Sequence, residues 1–140
     1  TGALVADRSG WSITGGDYHS GSWPEVIDDS TDTFMRPWGS PIMFTITFDK
    51  ENEMTGLRIT ARTDNASYQN YQPNAITIEY SLNGEDYTEL GTAASADGSL
   101  LKNVPSSYVA LYGSQKMKYI RITASYGSNM GVGDFNIYAK

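Results

Sequence analysis

A chain of 140 residues has the usual length of one domain and is long enough to bury a hydrophobic core. Its net charge of −6 argues against nucleic acid or an anionic membrane as a partner, since both are held by clustered Lys and Arg. The absence of cysteine excludes disulfides, thiolate catalysis and thiolate metal sites. No apolar run approaches the roughly 20 residues that a transmembrane helix needs.

Alternating apolar residues predict β-strands from one end of the chain to the other. The clearest case is the segment IMFTITFD, where Ile42, Phe44, Ile46 and Phe48 alternate with mostly polar residues, as in a strand with one buried face. The same period of two predicts strands at residues 57–62, 75–81, 118–124 and 134–140. The Asn83-Gly84 dipeptide predicts a hairpin turn with a returning strand over residues 86–90.

The gaps between these strands are long and polar, at residues 14–41, 63–74, 91–107 and 125–133. No segment carries the apolar stripe of a long helix. Short strands, Gly-rich turns and no long helix predict an all-β fold, an antiparallel β-sandwich or barrel, in a single domain over residues 1–140. Of the early tryptophans, Trp11 is expected in the core, and Trp23 is compatible with core or surface. Long loops on a rigid β-scaffold are where binding residues usually lie.

Four stretches in order carry a family resemblance: VIDDSTDTF at 26–34, Pro41 with the strand after it, LRITAR followed by AITIEYSLNGEDYTEL, and MKYIRITA with GDFNIYAK. Together they resemble the discoidin family, also called the coagulation factor 5/8 type C (F5/8 type C) domain. That family includes the family 32 carbohydrate-binding modules of bacterial glycan-degrading enzymes. The resemblance implies a discoidin-like jelly roll, similar to galactose-binding domains. Asp29 stands where the family usually has Gly, Met35 where it has Trp, and Arg36 where His is common. Met35 is expected to fill the same core space, because Met adapts to irregular gaps.

The resemblance also implies a structural cation, usually calcium, that ties the loop at residues 28–33 to the last strand. Calcium takes six to eight hard oxygens and accepts backbone carbonyls. The alternative is a solvated turn whose Asp and Ser side chains bond nearby amides. By position in the family, the ligands would be the Glu25 carbonyl, the Asp28 carboxylate, the Ser30 and Thr33 oxygens, and the junction of Gly133 and Asp134.

Sugars are held by aromatic faces packed on C–H patches and by polar groups that bond the hydroxyls. In the family such groups lie in loops at one end of the sandwich. Trp38, between Pro37 and Gly39, is the leading aromatic candidate, although it could instead cap the core. The Arg at the end of the LRITAR-like strand commonly reaches a sugar hydroxyl, which makes Arg62 the leading polar candidate. The full candidate set is Trp38, Arg36, Arg62, Asn65, Asn70, Tyr71, His19 and Tyr126.

We therefore expect a non-catalytic carbohydrate-binding module of an exported bacterial protein, at the cell surface, in the periplasm or outside the cell. Its partners would be a mono- or oligosaccharide, with galactose-type glycans as one candidate, and other domains of a larger polypeptide. The lack of cysteine removes the terminal disulfide of the animal relatives.

One histidine, His19, without a nucleophile motif gives little support to catalysis, and a lone His in a Gly/Ser loop is commonly a solvated residue. The alternative function is a docking or spacer domain without a glycan ligand. Membrane lipid is a third reading, disfavoured by the negative charge.

Overall fold

The computed structural model describes residues 2–28, 33–37, 41–61, 75–89, 106–125 and 132–140. Within these ranges the chain forms antiparallel strands and one short 3-10 helix, as expected for an all-β domain. No helix in this part of the chain is both long enough and apolar enough to cross a membrane. The strands are β1 (Ala3–Leu4), β2 (Ser12–Gly15), β3 (Tyr18–Gly21), β4 (Met35–Pro37), β5 (Ile42–Ala61), β6 (Ala75–Ser81), β7 (Thr88–Glu89), β8 (Ser106–Ser125) and β9 (Val132–Ala139), and the 3-10 helix is Trp23–Ile27.

Two long strands, β5 and β8, form the spine of the molecule. They pair with each other along most of their length, and the register shifts between Thr47 and Asn52 and again between Met54 and Gly56. Such irregularities bend a strand and increase its twist, so each long strand can serve both layers of a sandwich. The first half of β5 lies between β2 and the second half of β8, which in turn pairs with β6. The second half of β5 lies between β8 and β9.

The core lies between these layers. Every second residue from Ile42 to Phe48 is buried, which confirms the alternation predicted for that strand. Leu57 contributes from the second half of β5, and β9 contributes Phe135 and Ile137, all of them fully buried. Trp11 is also buried against the core, where its ring meets Phe48 edge-on at 4.9 Å. Burying a side chain of this size stabilises the fold by about 1.5–3 kcal/mol.

Several boundaries predicted from the sequence were wrong. The gap predicted at residues 14–41 contains β3, β4 and the 3-10 helix, which starts with Pro24 near its first position. Strand β8 begins at Ser106, twelve residues before the predicted strand at 118–124. The returning strand of the hairpin is only Thr88–Glu89. Short edge strands and strands that bend between layers lack a steady period of two, so their pattern is weak in the sequence.

The turn after β6 was predicted correctly. Gly84 has φ of +80°, a conformation that glycine adopts without steric cost. The Ser81 hydroxyl accepts hydrogen bonds from the backbone N–H groups of Asn83 and Gly84 at 3.2 and 2.9 Å, and the Asn83 side-chain oxygen accepts two more from Glu85 and Asp86. The turn is therefore held by side-chain to backbone bonds.

Candidate functional site

Two rows of paired residues mark one end of the sandwich. In the first row, Ala124 of β8 pairs with Ile42 at the start of β5 and with Ile76 near the start of β6. In the second row, Val132 at the start of β9 pairs with Met35 of β4 and with Ala61 at the end of β5. The chain crosses from the second row to the first between residues 37 and 41. Met35 and Ile42, one from each row, are seven residues apart in the chain, so these two members of the rows lie within about 25 Å of each other.

Three segments outside the described residues connect these two rows. Residues 38–40 join β4 to β5, residues 62–74 join β5 to β6, and residues 126–131 join β8 to β9. All three therefore leave and re-enter the sandwich at the same end. Six of the predicted sugar-binding residues belong to these segments and lie outside the described residues: Trp38, Arg62, Asn65, Asn70, Tyr71 and Tyr126.

The two remaining candidates lie on neighbouring strands beside the second row. Arg36 is a half-buried residue of β4, and its backbone pairs with Ser20 of β3. His19 lies in β3, next to Ser20, and its side chain is outside the described part of the structure. Arg36 thus lies on β4, the strand that leads directly into residues 38–40, and His19 lies on β3, the strand that pairs with β4.

An open groove of about 430 Å³ lies beside the first row. Its wall is formed by the end of β2 and by the start of β5, where Gly15 pairs with Phe44. A volume of this order lies within the range of small-ligand sites. The groove is lined by Thr14, Gly15, Gly16, Pro41, Ile42, Met43, Phe44 and Thr45. The sequence does not single out this groove, because Thr14 belongs to a predicted gap between strands and Met43 reads as an outward residue of a strand.

The predicted cation loop brings three hard oxygens together. The Thr33 hydroxyl lies 3.4 Å from the backbone carbonyl of Glu25 and within hydrogen-bond distance of the Asp28 carboxylate. A carbonyl, a carboxylate and a hydroxyl are the ligand types that calcium accepts. These residues therefore suit a hard cation, although the described residues contain no cluster of three acidic or histidine side chains that could hold a metal by themselves. Ser30 lies outside the described residues.

The Glu25 side chain connects the residues on the two sides of this loop. Its carboxylate accepts a hydrogen bond from the Ser22 hydroxyl at 3.3 Å and another from the backbone N–H of Phe34 at 3.3 Å. One carboxylate thus connects Ser22, just before the 3-10 helix, to Phe34, just before Met35 pairs with Val132 of the last strand. This pairing places Met35, two residues after the loop, at the start of β9, the strand to which the resemblance ties the cation loop.

At the last strand, the structure assigns Asp134 another partner. Gly133 and Asp134 are both buried in β9. The Asp134 carboxylate accepts hydrogen bonds from the two terminal nitrogens of Arg8, at 2.8 and 3.3 Å. The sequence gives no sign of this role for Arg8, since an arginine in an irregular N-terminal segment, 126 residues away from its partner, has no local pattern.

Trp23 is the other residue whose position the sequence left open, and the structure places it in the core. Its ring packs against Phe44 with centroids 5.1 Å apart, and its Nε1–H donates to the Gly16 carbonyl at 2.6 Å. A buried indole N–H needs such a partner. Trp23 therefore links the 3-10 helix to the end of β2 and cannot stack on a ligand.

Solved structures similar to this chain are bacterial modules of the same architecture. The family 32 carbohydrate-binding module of NanJ from Clostridium perfringens, in complex with galactose, has a TM-score of 0.78 at 16% identity, with 99% of each chain covered. A second module from C. perfringens, in complex with GalNAc-β-1,3-galactose, has a TM-score of 0.78 at 13% identity and covers 94% of this chain and 97% of its own. The C-terminal domain of a chitobiase from Bacteroides fragilis has a TM-score of 0.79 at 13% identity, covering 98% and 97%.

These structural similarities confirm the predicted discoidin-like β-sandwich. The comparison with curated protein sequences finds no match. The family model of the F5/8 type C domain matches residues 8–135, from Arg8 to the middle of the last strand. That match spans nearly the whole chain and both rows of the loop-bearing end. The chain belongs to the F5/8 type C domain family.

Proposed function

We propose that this domain is a non-catalytic carbohydrate-binding module that holds a glycan at the end of the sandwich marked by the two rows. The observation that carries the proposal is topological. The proposal is supported by the strand pairings, which bring the strand ends that flank the segments of Trp38, Arg62 and Tyr126 to the end of the sandwich that carries Arg36 and the groove at Gly16. An aromatic ring and cationic donors converging at one place are what a sugar needs for stacking and for hydrogen bonds to its hydroxyls.

In this mechanism Trp38 packs against the apolar face of a sugar ring, while Arg36 and Arg62 donate hydrogen bonds to its hydroxyls. Asn65, Asn70 and Tyr71 belong to the same connecting segment as Arg62 and add further polar groups. A contact the size of one or two sugars buries few atoms, so we expect a Kd between about 1 mM and 1 μM. Binding of this strength becomes useful when several modules act together.

Galactose-containing glycans are the first probes to use, because two similar modules are named for complexes with galactose and with GalNAc-β-1,3-galactose. The chitobiase neighbour is a domain of a larger enzyme. We propose the same arrangement here, as a module of an exported bacterial protein, at the cell surface, in the periplasm or outside the cell, that processes or binds glycans.

Trp38→Ala is expected to weaken binding to the best glycan by at least tenfold, because it removes the stacking surface. Binding is measured by titration calorimetry after a glycan array has identified that ligand. Leu82→Ala is the matched control. Leu82 is an exposed large apolar residue in the turn after β6, and its loss should leave the affinity unchanged. Equal affinities for wild type and Trp38→Ala would remove Trp38 from the site.

Arg62→Met tests the polar half of the same site and should also lower the affinity. Its control is Lys116→Met, an exposed cation of β8 that pairs with Glu53 where the long strands bend, far along β5 from Ile42 and Ala61. An array with no glycan bound at high protein concentration would contradict the proposal. That result would favour the docking or spacer function, whose test is co-purification with the neighbouring domains of the same polypeptide.

We also propose that calcium binds at the loop of Glu25, Asp28 and Thr33 and stabilises it. Bound there, the cation supplies positive charge to the carboxylate and carbonyl oxygens that now share one hydroxyl. Calcium is therefore expected to raise the Tm of the wild type, and Asp28→Asn to abolish that rise. Asp49→Asn, an exposed residue of β5, is the control and should keep the response. An unchanged Tm with calcium and with EGTA would favour the plain turn.

A further inference from the structure

Arg8 and Asp134 form an ion pair that is almost completely removed from solvent. Their side chains are 5% and 4% exposed. One terminal nitrogen of the guanidinium donates to Oδ1 of Asp134 at 2.8 Å and the other donates to Oδ2 at 3.3 Å. This is the two-bond geometry in which arginine holds a carboxylate most specifically.

The groups around the pair keep both charges in place. The Asn136 side-chain amide, two residues further along β9, donates to Oδ2 of Asp134 at 3.0 Å. The Arg8 guanidinium lies 5.4 Å from the ring centroid of Trp11, whose own ring packs on Phe48. Asp134 thus receives three hydrogen bonds, and Arg8 is held between an aromatic ring and a carboxylate.

The segment that leads to Arg8 pairs with the last strand in antiparallel orientation. Leu4 pairs with Tyr138 of β9, and the backbone N–H of Val5 donates to the Ile137 carbonyl at 3.0 Å. Trp11 then enters the core, and its backbone N–H donates to the backbone carbonyl of Arg8 at 3.0 Å. The Arg8 side chain therefore reaches Asp134 from a segment fixed on both sides.

We propose that in this chain Arg8 supplies the positive charge at Asp134 that the family resemblance would assign to the structural cation. Both oxygens of the carboxylate are already used by the guanidinium and by Asn136. A divalent cation on the same oxygens would also be repelled by a guanidinium in direct contact with that carboxylate. Asp134 is thus a structural partner of Arg8, and its carboxylate is not a ligand of a cation held by the Glu25, Asp28 and Thr33 oxygens.

This assignment gives the N-terminal segment a role in the fold that does not depend on calcium or on glycan binding. The ion pair joins the N-terminal segment to β9, the strand whose first residue pairs with Met35. Breaking a buried pair from either side leaves one charge without its partner, which is strongly destabilising. Removing both charges together avoids most of that cost.

The test uses the full chain and measures Tm with EGTA and with calcium. The variants are Arg8→Met, Asp134→Asn, the double variant, and Arg8→Lys. With EGTA, each of the first two is expected to lower the Tm by roughly 10 °C, and the double variant by clearly less than the sum of the two. Arg8→Lys keeps the charge without the paired donors and should recover part of the loss. Asp134→Asn should keep the same calcium-induced change in Tm as the wild type.

The opposite pattern identifies Asp134 as a cation ligand. In that case Asp134→Asn abolishes the calcium effect, and Arg8→Met leaves the Tm in EGTA unchanged. If a single variant fails to fold, Arg8→Lys and the double variant still decide between the two patterns. The Arg8 assignment expects the double variant to fold and to keep the calcium-induced change in Tm, whereas a cation ligand at Asp134 would make the double variant lose that change. Glycan affinity, measured separately, tests the proposed function and has no bearing on this outcome.

Discussion

Replacing Gly21 by alanine is expected to lower the free energy of unfolding by about 2–4 kcal/mol. Gly21 has φ of +74°, a region that residues with a Cβ rarely adopt. A Cβ added there would also lie 1.9 Å from the carbonyl oxygen of Phe34 and 2.9 Å from its carbonyl carbon. Both contacts are with backbone, so no side chain can rotate away to relieve them.

The site of the clash extends the effect beyond stability. Gly21 pairs with Met35, and the N–H of Phe34 donates to the Glu25 carboxylate that closes the proposed cation loop. Pushing Phe34 away from Gly21 should loosen that hydrogen bond. We therefore expect Gly21→Ala to reduce the calcium-induced rise in Tm as well as the stability in EGTA.

Gly16→Ala is the matched control, since a Cβ there meets no atom within 4 Å and its φ is outside the positive range. Alanine at such a position should be neutral or stabilising by up to about 1 kcal/mol. Urea unfolding of both variants, with the midpoint and slope fitted separately, gives the comparison. Equal stabilities for the two variants would mean that β3 and β4 can separate at Gly21 without cost.

The sequence predicted the parts of this fold that have one buried and one exposed face. The alternation from Ile42 to Phe48 was confirmed residue by residue, and Asn83-Gly84 marked its turn correctly. The early start of β8 was missed, because a strand that bends from one layer to the other changes which face is buried. The alternation of apolar and polar residues is interrupted at the bend, so only the part of such a strand after the bend is predicted.

The residues of the candidate cation loop come from one local motif, whereas the groove beside β2 and the partner of Asp134 depend on residues distant in sequence. The loop oxygens of Glu25, Asp28 and Thr33 lie within nine residues of one another, and the structure brings them together as the resemblance implies. Arg8 and Asp134 are at opposite ends of the chain, so nothing local could connect them. The strands that flank the segments proposed to bind sugar meet at one end only because β4, β5, β8 and β9 pair in the registers observed.

Met35→Ala is expected to lower the free energy of unfolding by about 2–5 kcal/mol, because it leaves a cavity in a closed environment. Met35 is fully buried, and its backbone pairs on one side with Gly21 and on the other with Val132. The position is one where the family resemblance expects a tryptophan, and the burial of Met35 confirms that it fills core space there. Two paired neighbours leave little freedom for the backbone to collapse into the space that alanine would open.

Met35→Leu is the control that separates volume from position. Leucine has nearly the same volume and no polar atom, so it should cost less than about 1.5 kcal/mol. Unfolding in urea gives the stabilities, and titration with the best glycan shows whether Arg36, the next residue, keeps its place. We expect Met35→Leu to bind with unchanged affinity, because the strand that presents Arg36 keeps its support. If Met35→Ala cost less than 1 kcal/mol, β4 would be held by its pairing alone, and the core would contribute nothing to the position of Arg36.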